Sequence, residues 1–182
     1  MRTFNSDLSW NFLVASPSST AQEFRNAVVF LVEDGEENAL GVIINRPIDK
    51  CVSDFSDALT DPELSSIEVY EGGPEGLTEL KFGAFCMGEA EVGAFHFGVP
   101  PQRILEIMKG RFENKPMAFI GYAGWTRRQL RDEINAGYWF LSNVDMNIIF
   151  DVPPEDLWRE LLIREFPAIA NVENPDGNVK AN

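Results

Sequence analysis

FIGYAGWTRRQLRDEI, Phe119 to Ile134, passes from a glycine-punctuated aromatic run into an arginine-studded helical pattern, and its reading decides the fold. Met117 to Tyr122 predicts a central strand. Gly121 and Gly124 bracket Tyr122 and Ala123 and are expected to be packing glycines, letting another element's backbone pass close on either side of a large ring. The helix begins at Thr126. Thr126 with Gln129 matches a capping box, Leu130 and Ile134 form an i, i+4 apolar stripe, and Gly137 is a natural stop. Arg127, Arg128 and Arg131 cluster near the helix start, where the dipole disfavours cations. This arrangement has two readings, an anion pocket or pairing with the surrounding carboxylates, and the pairing is the plainer one.

Upstream of that stretch, strands dominate. FLVASP, Phe12 to Pro17, reads as a short strand stopped by proline, and AVVFLV, Ala27 to Val32, ends in an acidic, Gly-containing turn. ALGVII, Ala39 to Ile44, follows at once, so the two runs predict a hairpin that Asn45-Arg46-Pro47 terminates. Val52 to Leu59 suggests a short helix, and Ile67 to Tyr70 a strand broken at Gly72-Gly73-Pro74. Lys81 to Met87 and Gly93 to Phe97 continue as strands, and Pro100 or Pro101 opens a helix to about Lys109 with Ile104, Leu105 and Met108 on one face. After the central strand come a strand at Tyr138 to Ser142, an apolar turn or short helix at Asn143 to Phe150, and a helix from Pro154 to Glu165. Leu157, Trp158, Leu161 and Leu162 of that last helix face the core. Strands first and helices among strands later predict an α+β fold. Residues 1–166 form one domain, and 167–182 read as a polar tail that frays.

Bulk properties narrow the function classes. A chain of 182 residues, 45% hydrophobic, can bury a full core. No run reaches the roughly 18 apolar residues of a membrane span, and MRTFNSDLSW lacks the regions of a signal peptide, so a cytoplasmic location is expected. The two cysteines, Cys51 and Cys86, lack paired-ligand spacing, and His96 is the single histidine, so neither a metal nor another cofactor is expected. The net charge of -14 repels the phosphate backbone that dominates nucleic-acid affinity.

The ordered set FLVASP, FRNAVVFLVE, ALGVIINRP, EGGP, IGYAGW with QL and EI, and the late DMNIIF resembles the AlgH/YqgE family over Leu8 to about Trp158. The resemblance implies one α+β domain of coiled, bifurcated, mostly antiparallel sheets with flanking helices, in a cytosolic bacterial protein of unassigned activity. Some members carry the label of transcriptional regulator. Similar proteins often have Cys and His where this chain has Val32 and Asp34, and a Leu-His pair near Phe85, Cys86 and Met87. The usual glycine before Gln-Leu is Arg128 here, which makes that helix start more cationic.

No nucleophile elbow, phosphate-binding loop or dinucleotide fingerprint occurs, which favours a non-enzymatic binding or regulatory protein acting through a protein or a small anionic ligand. The alternatives are direct transcriptional regulation, which the charge disfavours, and a hydrolase working through carboxylates such as Glu71 and Glu133. Asn45, Arg46, Gly72, Gly73, Tyr122, Trp125, Thr126 and Arg128 are the candidate ligand-binding residues, on turns expected to converge on one concave surface. Tyr122 and Trp125 would form its aromatic walls, while Arg46 and the helix start would donate to an anion. Read as a surface residue, Arg46 contributes roughly 0.5 kcal/mol or less to the fold.

Overall fold

The computed structural model of the chain describes residues 8–19, 21–56, 59–88, 93–143 and 145–169. Its strands are β1 (Phe12–Ala15), β2 (Val28–Asp34), β3 (Asn38–Ile43), β4 (Pro47–Cys51), β5 (Glu68–Glu71), β6 (Glu75–Cys86), β7 (Ala94–Val99), β8 (Asn114–Thr126) and β9 (Trp139–Ser142). The helices are α1 (Pro62–Ser65), α2 (Pro101–Met108), α3 (Arg127–Asn135), α4 (Ile148–Asp151) and α5 (Pro154–Glu165). The fold is α+β, built on one mixed sheet that does not close and in which β5 on β8 is the parallel pair.

The hairpin expected between Ala27 and Ile44 is β2 and β3, antiparallel, with an irregularity between Leu31 and Glu33. As expected, β3 ends at Ile43, ahead of Asn45-Arg46-Pro47, and Pro47 has a second role. It opens β4, an edge strand that pairs only with β5, where a residue without an N–H is tolerated at the first position. Where a helix was expected from Val52 to Leu59, the chain makes a single 3-10 turn at Val52–Asp54, and residues 57 and 58 lie outside the described ones. The strand expected from Lys81 is the end of a longer one, β6, which starts directly after the Gly-Gly-Pro turn. Pro167 to Ile169 form a helical turn, and the rest of the expected tail, 170–182, lies outside the described residues.

Strand β8 organises the molecule. Ala118 to Ile120 pair with both β5 and β6, whereas Ala123 to Thr126 pair with β3. The sheet therefore forks along β8, and Gly72 is stitched into the fork: its N–H donates to the Ile120 carbonyl and its carbonyl accepts from the Ile43 N–H. A Cβ on Gly72 would stand 2.2 Å from the Gly121 carbonyl oxygen, so only glycine fits.

Gly121, with φ of 78°, reverses which side of β8 faces which core. Before it, Met117 and Phe119 join a large cluster with Phe30, Phe85 and the leucines of α5; beyond it, Ala123 and Trp125 join a second cluster with Leu13, Leu130 and Trp139. Tyr122 turns back toward the first cluster, and its ring covers Gly76, whose φ is 64°. A third cluster, with Val69, Ala118, Ile104 and Leu105, anchors α2. One chain crossing thus serves three cores.

Candidate functional site

Past the fork, β3, the end of β8, the start of β6 and the first turn of α3 enclose a groove of about 550 Å³. Leu40 and Gly124, which are paired across β3 and β8, contribute to its lining, with Tyr122, Trp125, Thr126 and the carboxylates Glu33 and Glu75 around them. Gly124 differs from Gly121 here. A Cβ on Gly124 would meet the Glu75 carboxylate at 3.1 Å, the flexible end of a side chain, whereas Gly121 is jammed against backbone. The bare backbone at Gly124 is what lets Glu75 fold over the strand.

Two backbone donors at the start of α3 have partners within the fold. Thr126 accepts the Gln129 N–H at 3.1 Å, but the Gln129 amide reaches forward to Glu133 instead of back, so only half of the expected capping box forms. The Arg127 N–H donates to the Glu37 carbonyl at 2.7 Å, which leaves few donors for an anion. Two of the three arginines pair with carboxylates: Arg127 Nε lies 3.5 Å from Oδ1 of the fully buried Asp34 side chain, and Arg128 Nε lies 3.7 Å from Asp132, whereas the buried Nε of Arg131 has no hydrogen-bond partner. Asp34 also accepts the Leu8 N–H, fastening the start of the described chain to this helix.

Of the sequence-derived candidates, Tyr122, Trp125 and Thr126 line the groove. Gly72 and Gly73 sit against Gly121 and Tyr122 and fix where the groove's far wall begins. Arg128 is 92% exposed and lines a second, outer depression with Thr126 and Tyr138. Asn45 and Arg46 do not reach the groove. Asn45 is buried, accepting the Val28 N–H at 2.7 Å and donating to the Asn26 carbonyl at 2.9 Å.

Arg46 donates to the carbonyls of Glu23 and Arg25 at 2.7 and 2.8 Å and to Glu71 at 3.1 Å. It is a staple between the 3-10 turn at Gln22–Phe24 and the fork. Arg46→Ala is therefore expected to lose about 1.5–3 kcal/mol, the range for charge-assisted bonds. A thermal melt checks this, because a loss below about 0.5 kcal/mol would restore the surface reading.

Other titratable groups have structural partners. The Glu133 carboxylate accepts from the indoles of Trp125 and Trp139 and from Gln129, and Glu71 faces Arg46, so both candidate acids are engaged. Burial raises the Tyr70 hydroxyl well above its usual value, reinforced by its hydrogen bond to Glu68. Burial likewise lowers Lys115, whose ammonium donates to the Ile149 carbonyl at 2.9 Å. The Cys86 thiol is pushed up by burial, with Arg103 opposing, which suits a packed thiol and not a nucleophile. Among the described residues no group of His, Cys, Asp and Glu is arranged to hold a metal ion. No helix among them is long and apolar enough to cross a membrane. Sequence reasoning missed Glu33 and Glu75. The nearest signal was the position of Glu75 just after Gly72-Gly73-Pro74.

A forked, mostly antiparallel sheet with flanking helices defines an α+β domain of a type found in bacterial proteins of unassigned function. The chain belongs to the AlgH-like family DUF179, whose profile matches residues 12–167. It is 34% identical to a UPF0301 protein of Ralstonia pickettii over 86% of this chain and 87% of that one. It is 30% identical to the UPF0301 protein AlgH of Pseudomonas aeruginosa, over 82% and 84%. The solution structure of Pseudomonas aeruginosa AlgH superposes with a TM-score of 0.68 at 29% identity, covering 90% of this chain and 92% of that one. A crystal structure from Corynebacterium diphtheriae, at 20% identity, shares the fold with a TM-score of 0.69 over 93% of each chain.

Proposed function

We propose that the protein is a non-enzymatic binding module of the bacterial cytoplasm that receives a small molecule, or a side chain of a partner protein, in the groove at the fork. The observation that carries this reading is the convergence of Glu75, which follows the Gly-Gly-Pro turn, with Tyr122 to Thr126 and the β2–β3 hairpin around one recess. The recess is built mainly on strands held by the fork, which suits a preorganised site. Any regulatory role would follow from what the groove captures.

The test is a thermal-shift panel of amines, carboxylates, nucleotides and short peptides, with amide chemical shifts used to locate each hit. Hits should move the amides of Tyr122, Gly124 and Trp125. Gly124→Val should abolish them while keeping the melting temperature within roughly 4 °C, since the atoms nearest to a Cβ added there are those of the flexible Glu75 carboxylate. Hits that map elsewhere and ignore Gly124→Val would overturn the proposal.

A further inference from the structure

We infer that the turn at Leu8 to Asn11 is a strained latch with two states, in which the buried Asp34 carboxylate exchanges the Leu8 N–H for Arg131 when the latch opens. This device goes beyond the binding reading above and does not depend on it.

The first observation is backbone strain in the closed latch. The Asn11 N–H donates to the Leu8 carbonyl at 3.3 Å, and Trp10, the third residue of this turn, has φ of 70°. That position favours glycine or asparagine. The other described non-glycine residues with positive φ are Asn26 and Asp49, types that tolerate the left-handed region, so Trp10 is the outlier. Its ring is 48% exposed and meets Phe30 edge-on at 6.2 Å, so no core locks it in place. The turn is held instead by bonds around it: the Trp10 N–H on the Leu31 carbonyl at 2.8 Å, the Leu8 N–H on Asp34 Oδ2 at 2.9 Å, and the Asp34 N–H on Ser9 Oγ at 2.8 Å. Leu8 itself is seated in the second core.

The second observation is independent of the backbone. Among the described residues, the buried side-chain nitrogens and oxygens without a hydrogen bond are Asp34 Oδ1, Arg127 Nε and Arg131 Nε. Asp34 Oδ1 and Arg127 Nε form an ion pair at 3.5 Å without a hydrogen bond. Arg131 follows Arg127 by one turn on the same face of α3, which places their Cβ atoms roughly 5–6 Å apart. Buried polar groups are nearly always bonded, so the closed latch carries a penalty that a different pairing of the same groups removes. While Oδ2 serves Leu8, Arg131 Nε has no acceptor. Once Leu8 leaves, the carboxylate is free to turn onto both guanidinium groups, and Trp10 leaves the left-handed region in the same movement. Burial of Leu8 thus closes the latch against two penalties located at its anchor. Asp34 directly follows Glu33, and Arg127 directly follows Thr126, so opening reaches two residues that line the groove.

The test is amide hydrogen exchange on the intact protein, read by NMR at Leu8 and Asp34 under conditions where closing outruns exchange. These amides are expected to exchange roughly tenfold or more faster than Val29 and Phe30 in the centre of β2, each corrected for its intrinsic rate. Trp10→Gly and Trp10→Ala both lose the ring, so their difference isolates the strain. The glycine variant should exchange about fivefold slower than the alanine variant. Arg131→Met should slow opening roughly fivefold, because the donor it removes is bonded only in the open state. Arg131→Leu is the second variant should methionine disturb the packing of α3. Ordinary fraying of a chain end predicts none of these slowings. Exchange of Leu8 and Asp34 at the rate of Val29 and Phe30, equal rates in the two Trp10 variants, or opening unchanged or faster without Arg131 would each overturn the inference.

Discussion

Gly121→Ala is expected to destabilise the domain by about 3–6 kcal/mol, combining left-handed backbone strain with overpacking against main chain. With φ of 78°, this position already charges any L side chain for its conformation. The added Cβ would then stand 2.1 Å from the Gly73 carbonyl oxygen and 2.9 Å from that of Glu75, and backbone atoms of a forked sheet cannot move aside as a side-chain tip can. Domains are stable by roughly 5–15 kcal/mol, so one methyl group threatens a large share of the total. For a chain of this size the melting temperature should fall by roughly 10 °C or more, with valine worse than alanine. Gly124→Ala is the internal control and should melt close to the wild type. If both variants melted alike and near wild type, the fork would not be the rigid joint described here.

The contrast between these two glycines shows how far the sequence could be read. Both look like packing glycines in a strand; only the strand that crosses each one separates them, and that crossing is a non-local fact. The β2–β3 hairpin, the Thr126 cap, the Gly137 stop with φ of 77° and the buried leucines of α5 were legible because each depends on residues close in sequence. Parallel pairing of β5 with β8 joins residues about fifty positions apart and leaves no local pattern. The contacts of Arg46 were illegible for a related reason. Its partners at Glu23 and Arg25 are main-chain carbonyls, which every residue carries, so residue types could not announce them. The aromatic side of the groove was readable from Tyr122 and Trp125, whereas its acidic side depends on where the fork places Glu75.

Glu133→Ala is expected to destabilise by about 2–4 kcal/mol, because buried donors left without acceptors are penalised by roughly 1–3 kcal/mol each and the terms are not additive. Glu133 Oε2 accepts the Trp139 indole N–H at 2.8 Å and that of Trp125 at 3.1 Å, while Oε1 accepts the Gln129 amide at 2.8 Å. Trp125 and Trp139 are 4% and 3% exposed, and both of their indole N–H groups take this carboxylate as acceptor. These indoles pack edge to face at 6.0 Å, and Phe24 stacks on Trp125 at 5.8 Å, so loosening one ring loosens the others. Glu133→Gln keeps the shape and one acceptor oxygen but turns an amide N–H toward a donor, and its loss should be about half as large. The measurement is a thermal melt with tryptophan emission recorded alongside, because freed indoles entering water shift their emission to longer wavelength. If Glu133 were instead the acid of a hydrolytic site, its removal would leave the melt and the emission untouched. A coincident fall in stability and red shift in the alanine variant would mark it as the residue that positions Trp125 at the groove.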